Sequence, residues 1–175
     1  MKKLIITFTI ASAIFLTNCN NSEKESSLKD MKMTELNLAD KGIPVTVKAP
    51  EGAKVKEGMF SGEFGGIRMY DYEIVKNSFA LEVSMDDAEE LRTAKEITED
   101  AAEAAQTEEG FAGFVKKEPD GFIYKIKTDD YEEYKFYHVL IKNNRAIEFN
   151  EGLKLFTGFN LNDIKILYDI AKNAE

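Results

Sequence analysis

Residues 42–175 predict an α+β domain: a mainly antiparallel sheet with two helices packed on it. Three observations carry this expectation. Runs of alternating apolar and polar side chains, the period of a half-buried strand, recur between Ile43 and Asn150. Short turns built from Gly, Pro, Asn and Asp join them, which suits antiparallel neighbours. Only two later stretches, 91–105 and 164–171, show helical spacing, and no strand-helix-strand unit repeats as a parallel sheet requires.

The chain opens differently. Lys2 and Lys3 precede an apolar run over residues 4–16 that is interrupted only by Thr7, Thr9 and Ser12, the layout of a secretory signal. The run is too short to span a membrane, since a helix needs ~20 apolar residues to cross the hydrocarbon. It ends in Leu16-Thr17-Asn18-Cys19, and Cys19 is the only cysteine in the chain. These residues resemble the bacterial lipoprotein signal, which implies diacylation of Cys19 and cleavage before it. On that reading residues 1–18 are a signal peptide and the protein is held at the cell envelope, on the outer or the inner membrane, by lipid. Each buried CH₂ of an acyl chain contributes ~0.8 kcal/mol, so two or more chains anchor stably. The alternative is an ordinary secretory signal with a free thiol near its cut site.

Of the 175 residues, 157 follow residue 18, enough for one domain with a real core. The net charge of -9 becomes -11 once Lys2 and Lys3 are removed. Such acidity argues against nucleic acid as a partner and against docking on anionic headgroups, which both reward clustered cations. Twelve Phe and seven Tyr exceed what a disordered chain would carry, so a packed core is expected.

After Cys19, residues 19–41 read as the acylated end and a flexible tether, with the polar stretch NNSEKESSLK at 20–29. Residues 31–38 fit either a short strand or a helical turn. Ile43, Val45 and Val47 alternate with polar or proline positions, and Pro44 places that strand at an edge or at its own first residue. Ala49-Pro50-Glu51-Gly52 is a turn, and residues 53–59 continue as a short strand. The glycines at 62, 65 and 66 suggest a phosphate loop only superficially, because no Lys-Ser/Thr follows them. They read as a hairpin connection into a strand over 67–75, with Tyr70, Tyr72 and Ile74 on one face. After Asn77-Ser78, Phe79, Leu81, Val83 and Met85 form the clearest alternating strand.

Asp87 with Glu90 three residues on resembles a capping box, so a helix is expected from about residue 87. Leu91, Ala94, Thr98, Ala101 and Ala105 make its stripe, widened by Ile97 and Ala104. A stripe of alanines would let the helix backbone come close to a sheet. The acidic start of this helix lacks the alternating ligands and central Gly of a calcium loop, and reads as solvated. Gly110 closes the helix. Glu118-Pro119-Asp120-Gly121 predicts a turn with Gly121 left-handed, which would set Phe114 opposite Ile126 and Lys116 opposite Tyr124.

A long strand at 131–142 meets Asn143-Asn144, a primed turn in which Asn tolerates positive φ. Pairing Lys142 with Arg145 puts Leu140 opposite Ile147 and His138 opposite Phe149. His138, the only histidine, then shares a face with Tyr134, Phe136 and Leu140. A lone histidine there reads as a packing residue first and a ligand-pocket residue second. No second histidine completes a metal set or a nucleophile-base pair. Asn160 and Asp163 cap a closing helix at 161–172, with Ile164, Leu167, Tyr168 and Ala171 as its buried stripe.

This order of elements, with strand 43–47 leading into Ala49-Pro50-Glu51-Gly52 and a helix after a long hairpin, resembles the PsbP-like fold over residues 42–174. The resemblance implies a binding or assembly protein without catalysis, and it carries no functional residue over. No catalytic constellation, metal set or cofactor motif is visible in the residues. The expected function is a lipid-anchored, non-catalytic binding or accessory module whose partner is an envelope protein or a small ligand. The alternatives are a small envelope hydrolase and an inhibitor or immunity-type protein, for which an acidic surface would suit a basic target.

Overall fold

In the computed structural model the described residues are 26–153 and 158–175. Cys19 and the signal over residues 1–18 lie outside them. The architecture is α+β: an eight-stranded antiparallel sheet, a separate two-stranded hairpin and two α-helices. Among the described residues no helix is long and apolar enough to cross a membrane.

The hairpin pairs β1 (Met33–Asn37) with β2 (Thr46–Pro50). Folding therefore starts well before Gly42, where the tether was expected to end. Leu28 is 1% exposed and Leu38 is fully buried, and the hydroxyl of Ser26 donates to Asp163 Oδ1 at 2.7 Å. Met31, Met33 and Leu36 are partly buried and pack on the core rather than floating free.

In the main sheet, β3 (Lys54–Glu57) and β4 (Gly62–Phe64) share the outer edge of β5 (Ile67–Lys76). Then come β6 (Phe79–Asp86), β10 (Arg145–Glu151), β9 (Glu132–Lys142), β8 (Gly121–Lys127) and β7 (Phe111–Glu118). The turn glycines behave as a hairpin connection, with Gly65 at φ 61° and Gly66 at φ 84°. Asn143 and Asn144 sit at φ 53° and 55°, and the register they fix puts Leu140 opposite Ile147 and His138 opposite Phe149. Helix α2 (Leu161–Lys172) is capped by the Asn160 side chain, which accepts from Asp163 N at 2.9 Å.

Four further expectations are corrected. Helix α1 spans Ala94–Gln106, and its capping box is Thr93 with Glu96 rather than Asp87 with Glu90. Asp87 is engaged elsewhere: its N–H donates to Arg68 O and its Oδ1 accepts from Arg68 N, which prolongs the β5–β6 clasp. Leu91, 85% exposed, is not part of the helix stripe. The β7–β8 register also differs, with Phe114 opposite Tyr124, Phe111 opposite Ile126 and Lys116 opposite Ile123. Two bulges in β7, near Gly113 at φ 117°, absorb the difference. Gly121 is not left-handed; a Cβ there would stand 2.5 Å from Tyr137 O and 3.0 Å from the Tyr168 ring.

The sheet carries a core on each face. On one, α2 and the β1–β2 hairpin cover Ile74, Leu81, Val83, Ile147 and Phe149. On the other, α1 lays Ile97, Ala102 and Ala105 over Phe122, Tyr124, Ile126, Tyr137 and Val139. Helix α1 sits on β9, β8 and β7, so the same face of β10, β6 and β5 extends beyond it.

Candidate functional site

The candidate site is the cleft where α1 stops covering the sheet. Successive strand residues point to opposite faces. Because Phe149 and Ile147 enter the α2-side core, Glu148 and Asn150 lie on the α1 side, as do Glu82 and Ser84 of β6 and Asp71 and Glu73 of β5. A cleft of about 310 Å³ lies against α1, lined by Ala101, Ala104, Ala105 and Glu108 from the helix end and by Phe122, Tyr124, Tyr137 and Asn150 from the sheet. The alanines that predict a close helix approach leave this space, because no side chain beyond Cβ fills it.

Aromatic rings make the cleft wall. Phe122 stacks on Tyr137 with centroids 5.5 Å apart and meets Tyr124 edge-on at 5.6 Å, geometries that favour ring pairs. Carboxylates hold both tyrosine tips. Tyr124 OH donates to Glu108 Oε1 at 2.6 Å, and Tyr137 OH donates to Glu148 Oε2 at 2.9 Å. Burial and then the glutamate partners push both phenols above their ordinary range, so they stay protonated donors. Lys135 Nζ reaches Glu108 Oε2 at 2.8 Å. Burial lowers its pKa, yet Glu108 and the nearby Glu151 and Glu133 outweigh burial and hold the ammonium charged.

Beyond Asn150 the floor turns acidic. Asn150 stands between Tyr137 and Glu82 in register, and Glu82 stands opposite Glu73. Burial, then Asp71 and Glu73, raise the Glu82 pKa; burial raises that of Glu148. Asp71 is 4% exposed, with Oδ2 accepting from Phe60 N at 2.9 Å. Asp71 Oδ1 and Glu73 Oε1 are buried with no hydrogen-bond partner among the described residues. Among those residues no group of three His, Cys, Asp or Glu is arranged to hold a metal ion.

His138 lies elsewhere. It is 3% exposed on the α2 side, with Phe149 at 5.8 Å and Tyr168 at 5.9 Å between ring centroids. Its Nδ1 has no partner among the described residues, and it lines neither the cleft against α1 nor the shallow hollow at Met31, Pro50 and Lys76. The cleft residues were legible singly, as strand aromatics and helix alanines. Their meeting was not, because it depends on how much of the sheet α1 covers. Comparison with protein-family models, with curated proteins and with solved structures finds no match.

Proposed function

We propose that this protein is a lipid-anchored binding module of the bacterial cell envelope, acylated at Cys19 and exported from the cytoplasm. The single observation that carries the binding reading is the cleft between α1 and the ring wall of Phe122, Tyr124 and Tyr137. A concave, mostly apolar site with a few polar groups at its rim is the usual form of a ligand site. The anchor rests on the lipobox-like Leu16-Thr17-Asn18-Cys19 after an apolar leader. A helix on each sheet face and a terminal helix after the long β9–β10 hairpin support the finer PsbP-like assignment.

Mass spectrometry of the N-terminus of the native protein tests the anchor. A diacylated cysteine at residue 19 is expected, and Cys19→Ala is expected to lose acylation and membrane retention. An unmodified terminus, or normal processing and retention of the variant, overturns it.

A further inference from the structure

The interior of the cleft against α1 has little polarity to give a ligand. The hydroxyls of Tyr124 and Tyr137 are engaged by Glu108 and Glu148, and the other oxygen of Glu108 is held by Lys135. Nor does Phe122 present an open face for stacking: it is 1% exposed, with Phe114, Tyr124 and Tyr137 around it at ring-centroid distances of 5.3, 5.6 and 5.5 Å. The walls are therefore ring edges and the methyls of Ala101, Ala104 and Ala105, a lining that suits plain hydrocarbon better than a polar or stacking ring. At the rim, the Asn150 carboxamide makes no hydrogen bond among the described residues, which leaves one neutral donor-acceptor group for a ligand. Glu108 and Glu133 both act on the ammonium of Lys135, so the surroundings stay acidic and disfavour a carboxylate or phosphate.

The place of the cleft in the sheet points to the source of such a ligand. Asn150 is next to the last residue of β10 and pairs with Glu82 of β6. Ser78, four positions before Glu82, accepts from the hydroxyl of Ser27. At ~3.3 Å per residue the cleft stands roughly 13 Å along the strand from that contact, at the end of the sheet that receives the chain from Cys19. The same end carries Leu153, 76% exposed, just past β10, and Tyr131, 52% exposed, just ahead of β9. We propose that the cleft takes one acyl chain of a neutral membrane-borne amphiphile, the chain lying between the α1 alanines and the sheet and the head bonded to Asn150. The inference rests on the binding-module reading above, its Cys19 anchor included, and names the ligand class. Burial favours hydrocarbon at every methylene, and a hydroxyl or ester head matches a carboxamide, which both donates and accepts.

Photolabelling tests this, with the full chain in phosphatidylcholine vesicles that contain a 1-acylglycerol bearing a diazirine on its chain. After irradiation and peptide mass mapping, adducts are expected on residues 101–108 and on the strand residues that face them, and unlabelled 1-decanoylglycerol is expected to compete them away. Ala104→Phe fills the cleft from an exposed helix position, which spares the fold, and is expected to cut the adducts about fivefold or more. Lys95→Phe, on the opposite side of α1, adds the same ring and is expected to change them less than about twofold. Asn150→Leu, which removes the head contact alone, is expected to weaken the competition about threefold or more. Labelling confined to Tyr131 and Leu153, cleft adducts indifferent to Ala104→Phe, or equal labelling by a diazirine fatty acid each overturns the proposal. Cleft adducts from a photoactivatable benzyl alcohol, with none from the acyl probe, would keep the binding cleft and refute the acyl chain. Cys19→Ala with the probe in solution below its micelle threshold is expected to keep the cleft adducts, so a failed anchor is told apart from a failed ligand.

Discussion

At the scale of single residues, the titrating groups give opposite pH signatures that can be separated. Burial holds the His138 pKa below its ordinary value, against a smaller opposing effect of Asp120. The unfolded chain then binds the proton more readily than the folded one, so stability is lost as pH falls through the ordinary histidine range near 6.5. His138→Phe is expected to flatten that part of a urea-midpoint profile; a profile unchanged by the variant would contradict it. Glu118 behaves as an ordinary stabilising carboxylate. Hydrogen bonds from Lys172, then from the Tyr168 hydroxyl, hold it down at about 2, with Tyr168 OH at 2.7 Å and Lys172 Nζ at 2.9 Å. Its contribution is present above about pH 4.5 and is lost as pH falls toward 2. Tyr168→Phe keeps the buried ring and removes one charge-assisted bond, with an expected loss of about 1–3 kcal/mol at neutral pH. Glu151 has the reverse sign: burial outweighs the hydrogen bond from Phe136 N and raises it to about 8. The folded state holds that proton longer, so stability declines as pH rises from about 4.5 to about 8. Glu151→Gln is expected to remove that decline, and a steeper alkaline decline in chemical denaturation would refute the assignment.

At the scale of elements, the cap of α1 and the approach of α2 are the points where one atom matters. Thr93 Oγ1 accepts from Glu96 N at 3.3 Å while Glu96 Oε2 accepts from Thr93 N at 2.8 Å. Thr93→Ala is expected to lower stability by about 1 kcal/mol, whereas Asp87→Ala, outside the helix, should leave α1 amide exchange unchanged. Gly121→Ala would force a methyl against Tyr137 O, and a loss of several kcal/mol, on the order of overpacked cores, is expected in thermal melts. These elements also mark what the residues disclosed in advance. The β9–β10 register was legible because two adjacent Asn residues admit one turn family, and the α2 stripe because large side chains recur at helical spacing. The start of α1 was not legible: two acid-bearing caps lie six residues apart, and Asp87 is claimed by Arg68, a contact 19 positions away. Nor was the β7 register, since Gly113 lets two bulges enter a strand whose alternation looks regular. The cleft escaped for a related reason. Alanine spacing reports that a helix comes near a sheet, but not where its coverage ends.

At the scale of the whole molecule, the described chain begins at one end of the sheet and exposes apolar side chains at the other. Ser27 Oγ donates to Ser78 Oγ at 2.9 Å, which places the first described residues beside the β5–β6 turn. The opposite end of β5 carries Phe64 and Ile67, 59% and 40% exposed, and the loop ahead of β4 carries Met59 and Phe60, 82% and 63% exposed. The 10 residues of β5 separate these ends by roughly 33 Å. From Cys19 to Ser26 the backbone reaches no further than roughly 25 Å. An acylated Cys19 would therefore hold the Ser78 end near the bilayer and leave the Phe64 end the more distant on average. If Cys19 is acylated and its thiol thereby blocked, a fluorophore on Ser78→Cys is expected to be quenched by headgroup-borne quenchers more strongly than one on Glu63→Cys. Equal quenching would mean that the domain lies flat, and stronger quenching at residue 63 would turn the apolar end toward the membrane.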